Sequence, residues 1–275
     1  MIVVRLRGGL GNQMFQYALG RCMAARRGDE LVLECGKLRA RPNATPRDYS
    51  LDIFRLNATF AAMSTIQAQA KVLTHIVQCR RGFHQEVFEC RAPDIVLEGY
   101  WSSEQYFLEI ESLICSDFTF RSSIERYNPI MPSHDSPNSR ICIHVRRGDY
   151  LTSAGAGLGF LGLKYYEDAI ALIVGQIKDP HFYIFSDDIP WCIDNLRIEH
   201  PHTYMRHNCG QKLSTAIDFQ LMTSCQHFII ANSSFSWWAA WLATKKADGI
   251  VVAPCRWLCD RVEIPDLIPR RWMQI

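Results

Sequence analysis

Residues 227–243, HFIIANSSFSWWAAWLA, join an apolar strand (227–231) to an apolar helix (234–243) through the polar turn Asn232-Ser233-Ser234. The same unit recurs on either side. Strands are expected at 141–146, 181–186, 203–206 and 249–253, and helices at 164–177, 190–196 and 213–225. Strand alternating with helix at this spacing argues α/β architecture with a parallel, doubly wound sheet. In such sheets ligands bind beyond the carboxyl ends of the strands, so the residues that end each apolar run are the ones to weigh.

Toward the N-terminus the chain gives a strand (2–6), a glycine turn, a helix (12–26) and the strand ELVLE. An irregular stretch with Pro42 and Pro46 (36–60) follows. Then come a helix (64–78), short strands near 86–90 and 95–99, and a helix capped by Ser102 or Ser103. Between 128 and 139 the sequence NPIMPSHDSPNS has linker composition. It sets two domains, 1–135 and 136–275.

The 275 residues are 48% apolar and 21% charged, ordinary for a globular chain with a substantial core. A net charge of +2 gives no general nucleic-acid footprint, so any anion site must be local. No stretch has the length and apolarity of a signal peptide or a membrane span, which predicts a cytoplasmic protein without a transmembrane segment; peripheral membrane contact stays open. The eleven cysteines are scattered through apolar runs and read as free thiols. The sequons at Asn43, Asn57 and Asn232 matter only in a secreted chain.

Four polar strand ends stand out. ICIHVRRGDYL (141–151) ends in His144, Arg146, Arg147 and Asp149. Burying an unpaired guanidinium costs several kcal/mol, so the arginines need a protein carboxylate or an anionic ligand. Neighbours in a strand alternate faces, so one arginine should be functional and one structural. HFYIFSDD ends in Ser186, Asp187 and Asp188, and HFIIANSS in Asn232, Ser233 and Ser234. These serines precede Phe235 at a helix start; they either cap it, worth about 1 kcal/mol, or offer hydroxyls and free N–H groups to an anion. Asp187 and Asp188 could hold a metal or accept from a base or ribose, but adjacent carboxylates do not naturally converge on one ion, so no metal is assigned. The fourth end, RLRGGLGNQ, carries Gly9, Gly11 and Asn12. It invites a dinucleotide reading with Glu34 on the ribose, weakened because Met14 replaces the third glycine. Tyr100, Trp101 and Tyr106 flank a turn and are the candidates for stacking on a sugar, whereas Trp237, Trp238 and Trp241 read as core.

GGLGNQMFQYA, EGYWSSEQYF, IHVRRGDY, FYIFSDDIPW and DFQLMTSCQHFIIANSSFSWWAAWL, in this order, resemble the α-1,2-fucosyltransferases of glycosyltransferase family 11 in their bacterial form. The resemblance implies a GT-B-like fold, two Rossmann-type domains facing across a cleft. It also implies inverting, metal-independent transfer of L-fucose from GDP-fucose to the 2-hydroxyl of a terminal galactose. Arg146 would hold the β-phosphate, His144 with Asp187 or Asp188 the guanine, and Ser233, Ser234 and Phe235 the diphosphate and base pocket. Asn232 joins this donor-side set. Arg147 sits in the donor site held by a carboxylate, and Asn12 reaches the fucose or β-phosphate. The base is left to Asp149 or a first-domain carboxylate. Two other readings remain: an NAD- or FAD-binding oxidoreductase, and a non-catalytic nucleotide-sugar or glycan-binding protein.

Overall fold

The computed structural model describes residues 1–38, 47–121, 139–151, 159–206, 211–245, 247–258 and 264–275. Two compact units divide the chain: Met1–Thr119 with Ile264–Pro269, and Phe120–Glu263 with Arg270–Ile275. The division anticipated at 135/136 lies outside the described residues. Ile264–Pro269, anticipated in the second domain, belongs instead to the first unit. There Gly82, in the left-handed region at φ +94°, lets Pro265 approach so closely that a Cβ would stand 3.1 Å from the Pro265 carbonyl.

In the first unit β1 (Ile2–Arg5) leads into α1 (Leu10–Arg27) and β2 (Leu31–Glu34). Helix α1 stops where it does because Gly28 takes φ +66° and returns its N–H to the Ala24 carbonyl, with Arg26 and Arg27 in the last turn complementing the helix dipole. Next come β3 (Thr59–Phe60), α2 (Met63–Gln69), β4 (Leu73–Val77), β5 (Asp94–Glu98) and α3 (Glu111–Asp117). All pairings are parallel, in the order β3-β2-β1-β5-β4. The helix expected over 64–78 is half strand: after Gln69 the chain turns and LTHIV pairs along β5. The strand expected near 86–90 is a short 3-10 turn, Gln85–Glu89.

The second unit runs β6 (Arg140–Val145), α4 (Leu163–Val174), β7 (His181–Ser186), α5 (Ile189–Asn195), β8 (His202–Tyr204), α6 (Gln211–Met222), β9 (His227–Ile229), α7 (Ser234–Thr244), β10 (Val251–Ala253) and β11 (Met273–Gln274). Here the alternation read from the sequence is the observed one, with β11 added by the last residues of the chain. The sheet is wholly parallel, ordered β8-β7-β6-β9-β10-β11. Relabelled from its first strand this is the Rossmann order 3-2-1-4-5-6, which reverses between β6 and β9. Trp237, Trp238 and Trp241 of α7 are fully buried, and Trp272 packs 5.3 Å from Trp237, so this helix is core as expected. Each ring removed from water contributes about 1.5–3 kcal/mol.

Candidate active site

The reversal between β6 and β9 places two of the polar strand ends side by side. Beyond β6 come Arg146 and Arg147, and beyond β9 come Asn232 to Ser234. β7, next to β6, delivers Asp187 and Asp188.

The arginines and aspartates interlock. Arg146 Nη1 lies 2.9 Å from Asp187 Oδ2, and Arg147 Nε lies 3.1 Å from Asp188 Oδ2. The Arg147 backbone N–H donates to Asp187 Oδ1 at 2.9 Å. Asp188 also caps α5, accepting from the Trp191 N–H at 3.2 Å. Gly148 permits this packing, since a Cβ there would stand 2.6 Å from Asp187 Oδ2. The two guanidiniums differ in surroundings. Arg147 lies 3.8 Å from the Trp191 ring centre and 4.7 Å from that of Phe160, with its side chain 13% exposed; that of Arg146 is 26% exposed. Arg147 is therefore gripped by a carboxylate and two aromatic rings, and Arg146 is the more accessible of the two. Asp187 and Asp188 both engage the arginines. The Asp149 side chain lies outside the described residues.

At the end of β9, Ser233 Oγ accepts from the Phe235 N–H at 3.4 Å and caps α7, while Ser234 and Phe235 stay partly exposed. No acidic residue occupies the first turn of α7, so the helix itself supplies no side-chain anion at its positive end. Asn232 braces loops: its Nδ2 donates to the carbonyls of Gly159 at 2.9 Å and Trp257 at 3.0 Å, and its own carbonyl accepts from the Tyr150 hydroxyl at 2.9 Å. It is buried, so its sequon is not presented to solvent.

His144, the last residue but one of β6, packs 5.7 Å from the Phe235 ring. Burial, with Arg146 nearby, pulls its pKa down to about 3, so the ring is neutral, and Nδ1 finds no hydrogen-bond partner among the described residues. Asp218 on α6 was not among the sequence candidates. Burial raises its carboxyl to about 7, and it interacts electrostatically with Cys142, which shares the His144 face of β6. Phe219, next along α6, packs 5.2 Å from Phe235. The neutral imidazole of His144 and the ring of Phe219 thus both pack against Phe235 in the first turn of α7. A lone acid inside an apolar helix was the available signal. Tyr150 and Tyr165 were also missed; their hydroxyls hold the Asn232 and Ile230 carbonyls at 2.9 and 2.6 Å.

In the first unit, Asn12 is partly buried in the first turn of α1. The glycine the turn requires is Gly8, at φ +77°, where a Cβ would stand 2.5 Å from Asn12 Nδ2. Gly9, the N-cap, has φ −79° and open space where a Cβ would be, and Gly11 is buried within the helix. Glu34 does not await a ribose: it is buried, paired with Arg5 at 2.9 Å, and accepts from the Gly36 N–H. Met14 fills the core beneath α1. The dinucleotide reading loses its acid as well as its third glycine. Trp101 is corrected too. At φ +55° the backbone folds its ring inward, 2% exposed and edge-on to Tyr106, so it cannot stack on a sugar; Tyr106 cannot either, being fully buried with its hydroxyl donating to the Gly82 carbonyl, and only Tyr100 stays exposed, at 40%.

No helix among the described residues is long and apolar enough to cross a membrane. Residues 1–272 match the family model described as glycosyl transferase family 11. The chain is 30% identical to an alpha-1,2-colitosyltransferase of Escherichia coli, covering 100% of this chain and 99% of that one. It is 26% identical to galactoside alpha-(1,2)-fucosyltransferase 1 of Mus musculus, over 86% of this chain and 62% of that one. Among solved structures, the NodZ alpha-1,6-fucosyltransferase soaked with GDP-fucose superposes with a TM-score of 0.55 at 17% identity, over 88% of this chain and 92% of that one. That likeness supports the α/β, GT-B-like fold class. The chain belongs to glycosyl transferase family 11.

Proposed function

We propose that the protein transfers L-fucose from GDP-fucose to the 2-hydroxyl of a terminal galactose, with inversion and in the cytoplasm. The observation that carries this is the placement, at the strand reversal of a Rossmann-ordered sheet, of the partly exposed Arg146 and the N-terminus of α7, whose first turn holds no acidic residue. The galactoside α-1,2-fucosyltransferases among its relatives support the acceptor linkage.

In the reaction the acceptor oxygen forms a bond to the fucose anomeric carbon as the bond from that carbon to the β-phosphate oxygen breaks. The bonding pair leaves with GDP, so negative charge grows on the β-phosphate. Arg146 and the α7 N–H groups stabilise that charge more in the transition state than in the ground state. Asp187 orients Arg146, and the Arg147 clamp fixes Asp188 and the start of α5. His144 and Phe235, whose rings pack together, are assigned to the guanine. The reading needs no metal, because the carboxylates that could have held one are engaged by arginines. Asn12 is assigned to the fucose or β-phosphate. The acceptor proton goes to Asp149; Glu98 of the first unit is a poor base, its carboxyl held at about 2.

A second reading, transfer of a colitosyl group, is favoured by the full-length similarity to the colitosyltransferase. Incubation with GDP-fucose or GDP-colitose and a β-galactoside, read by mass spectrometry, tests both. A gain of one deoxyhexose from GDP-fucose is expected. A gain only from GDP-colitose transfers the account to that sugar, and no gain from either leaves a binding protein.

A further inference from the structure

The first sheet ends on β4, and among the described residues no strand lies beyond it. This edge is open to water: Val72 is 65% exposed, Val77 55%, and the His75 side chain 44%. Its backbone is unused on that side. Gln78 donates its N–H to the Glu98 carbonyl at 2.8 Å, which turns the peptide groups of the even-numbered residues toward β5. Those of Leu73, His75 and Val77 therefore point away from the sheet. Their N–H groups meet no acceptor among the described residues, and the Val77 carbonyl takes only the weak Cys79 thiol donor, at 3.4 Å.

Natural edge strands are commonly guarded by a lysine, a proline or a bulge. Residues 72–77 contain no lysine, arginine, carboxylate, proline or glycine, and Lys71 is the single fixed charge between 61 and 78 in a chain that is 21% charged. Loss of charge beside exposed apolar side chains is the composition of an interface core rather than of a guarded edge.

We propose that β4 pairs with β4 of a second copy of the chain, antiparallel about a two-fold axis at Thr74, joining two five-stranded sheets into one. The outward peptide groups set the register. Leu73 of each copy exchanges N–H···O=C bonds with His75 of the other, and Lys71 comes opposite Val77. On the other face Val72 meets Ile76 and Thr74 meets Thr74, extending the apolar surface that the buried Ile95 and Leu97 begin on β5. The strand is thus its own complement, with no charge set against a like charge, and this selects a second copy over an unrelated strand. Centred on His75, the same edge would oppose two imidazoles, each already drawn to Glu98. The pairing does not depend on which sugar is transferred.

Sedimentation velocity of the protein from about 5 to 500 μM tests this. A five-residue strand buries less than the roughly 1,200 Å² of a tight interface, so a reversible dimer with Kd on the order of 10–100 μM is expected. Val77→Lys, at an exposed position, sets a lysine against Lys71 of the other copy twice per dimer and should weaken association about tenfold. Adding Lys71→Glu turns both contacts into opposite-charge pairs and should restore it. A single-chain mass at every concentration overturns the pairing, as does a mass above two chains. A dimer indifferent to Val77→Lys, or weakened by it and not restored by Lys71→Glu, overturns it equally, because the contact then lies elsewhere or in another register.

Discussion

Replacing Asp218 with Asn should change how stability responds to pH in a way set by one buried carboxyl. Burial raises this group from 3.8 to about 7 in the folded protein. The folded state therefore holds a proton that the unfolded state has lost across that interval. The stability tied to the carboxyl is fully present below pH 3.8 and is lost as pH rises through about 7. Each pH unit across the window is worth about 1.4 kcal/mol, so wild type should lose ~4 kcal/mol relative to Asp218→Asn between pH 4 and pH 7.5. His144 acts in the opposite sense. With its pKa lowered from 6.5 to about 3, its contribution is present above pH 6.5 and declines as pH falls toward 3. The two opposing slopes leave wild type nearly flat where they overlap, and the variant exposes the His144 slope. Urea denaturation of both proteins at half-unit steps from pH 4 to 8 reads this directly. Parallel profiles would refute the argument, because they would mean that Asp218 ionises in the folded state as readily as in the unfolded one.

Three further outcomes follow from the same geometry. Gly8→Ala should destabilise the protein by about 1–3 kcal/mol, since it forces a Cβ into the left-handed region and against Asn12, whereas Gly9→Ala should be near neutral; thermal melts of the pair separate them. Glu98→Gln should flatten the acid limb of stability. The Glu98 carboxyl, which burial raises but Lys37, His75 and Arg5 more than offset, falls from 4.5 to about 2, so its contribution is present above pH 4.5 and lost as pH falls toward 2; acid titration of secondary structure checks this. Arg147→Lys should lower the melting temperature without restoring the aromatic grip, a loss of about 1–3 kcal/mol, because an ammonium cannot stack flat between Trp191 and Phe160.

The second unit could be read from the chain because its strands are long apolar runs that end abruptly in polar residues. Ile141–Val145 and Phe182–Phe185 announce both the strand and the place where chemistry begins. β4 could not be read this way. As an edge strand it is half exposed, Leu73–Val77 has no continuous apolar signal, and its pairing with β5 decides its form. Trp101 misled for a different reason: nothing in GYWSS marks a left-handed residue, and the Gln78 clamp that turns the ring inward is distant in sequence. Gly8 rather than Gly9 or Gly11 is the special glycine, a distinction held in dihedral angles alone. Strand alternation does not govern Arg146 and Arg147, because β6 ends at Val145, before either of them. Which arginine the aromatic rings would grip depended on Trp191 and Phe160, both far from the arginines in sequence.

The central claim, that Arg146 meets the charge developing on the leaving diphosphate, is tested most directly by steady-state transfer from GDP-fucose to a β-galactoside with Arg146→Ala. The account predicts a fall in kcat of about 10²–10³-fold with an unchanged far-UV spectrum. A folded Arg146→Ala variant that turns over at the wild-type rate would contradict it.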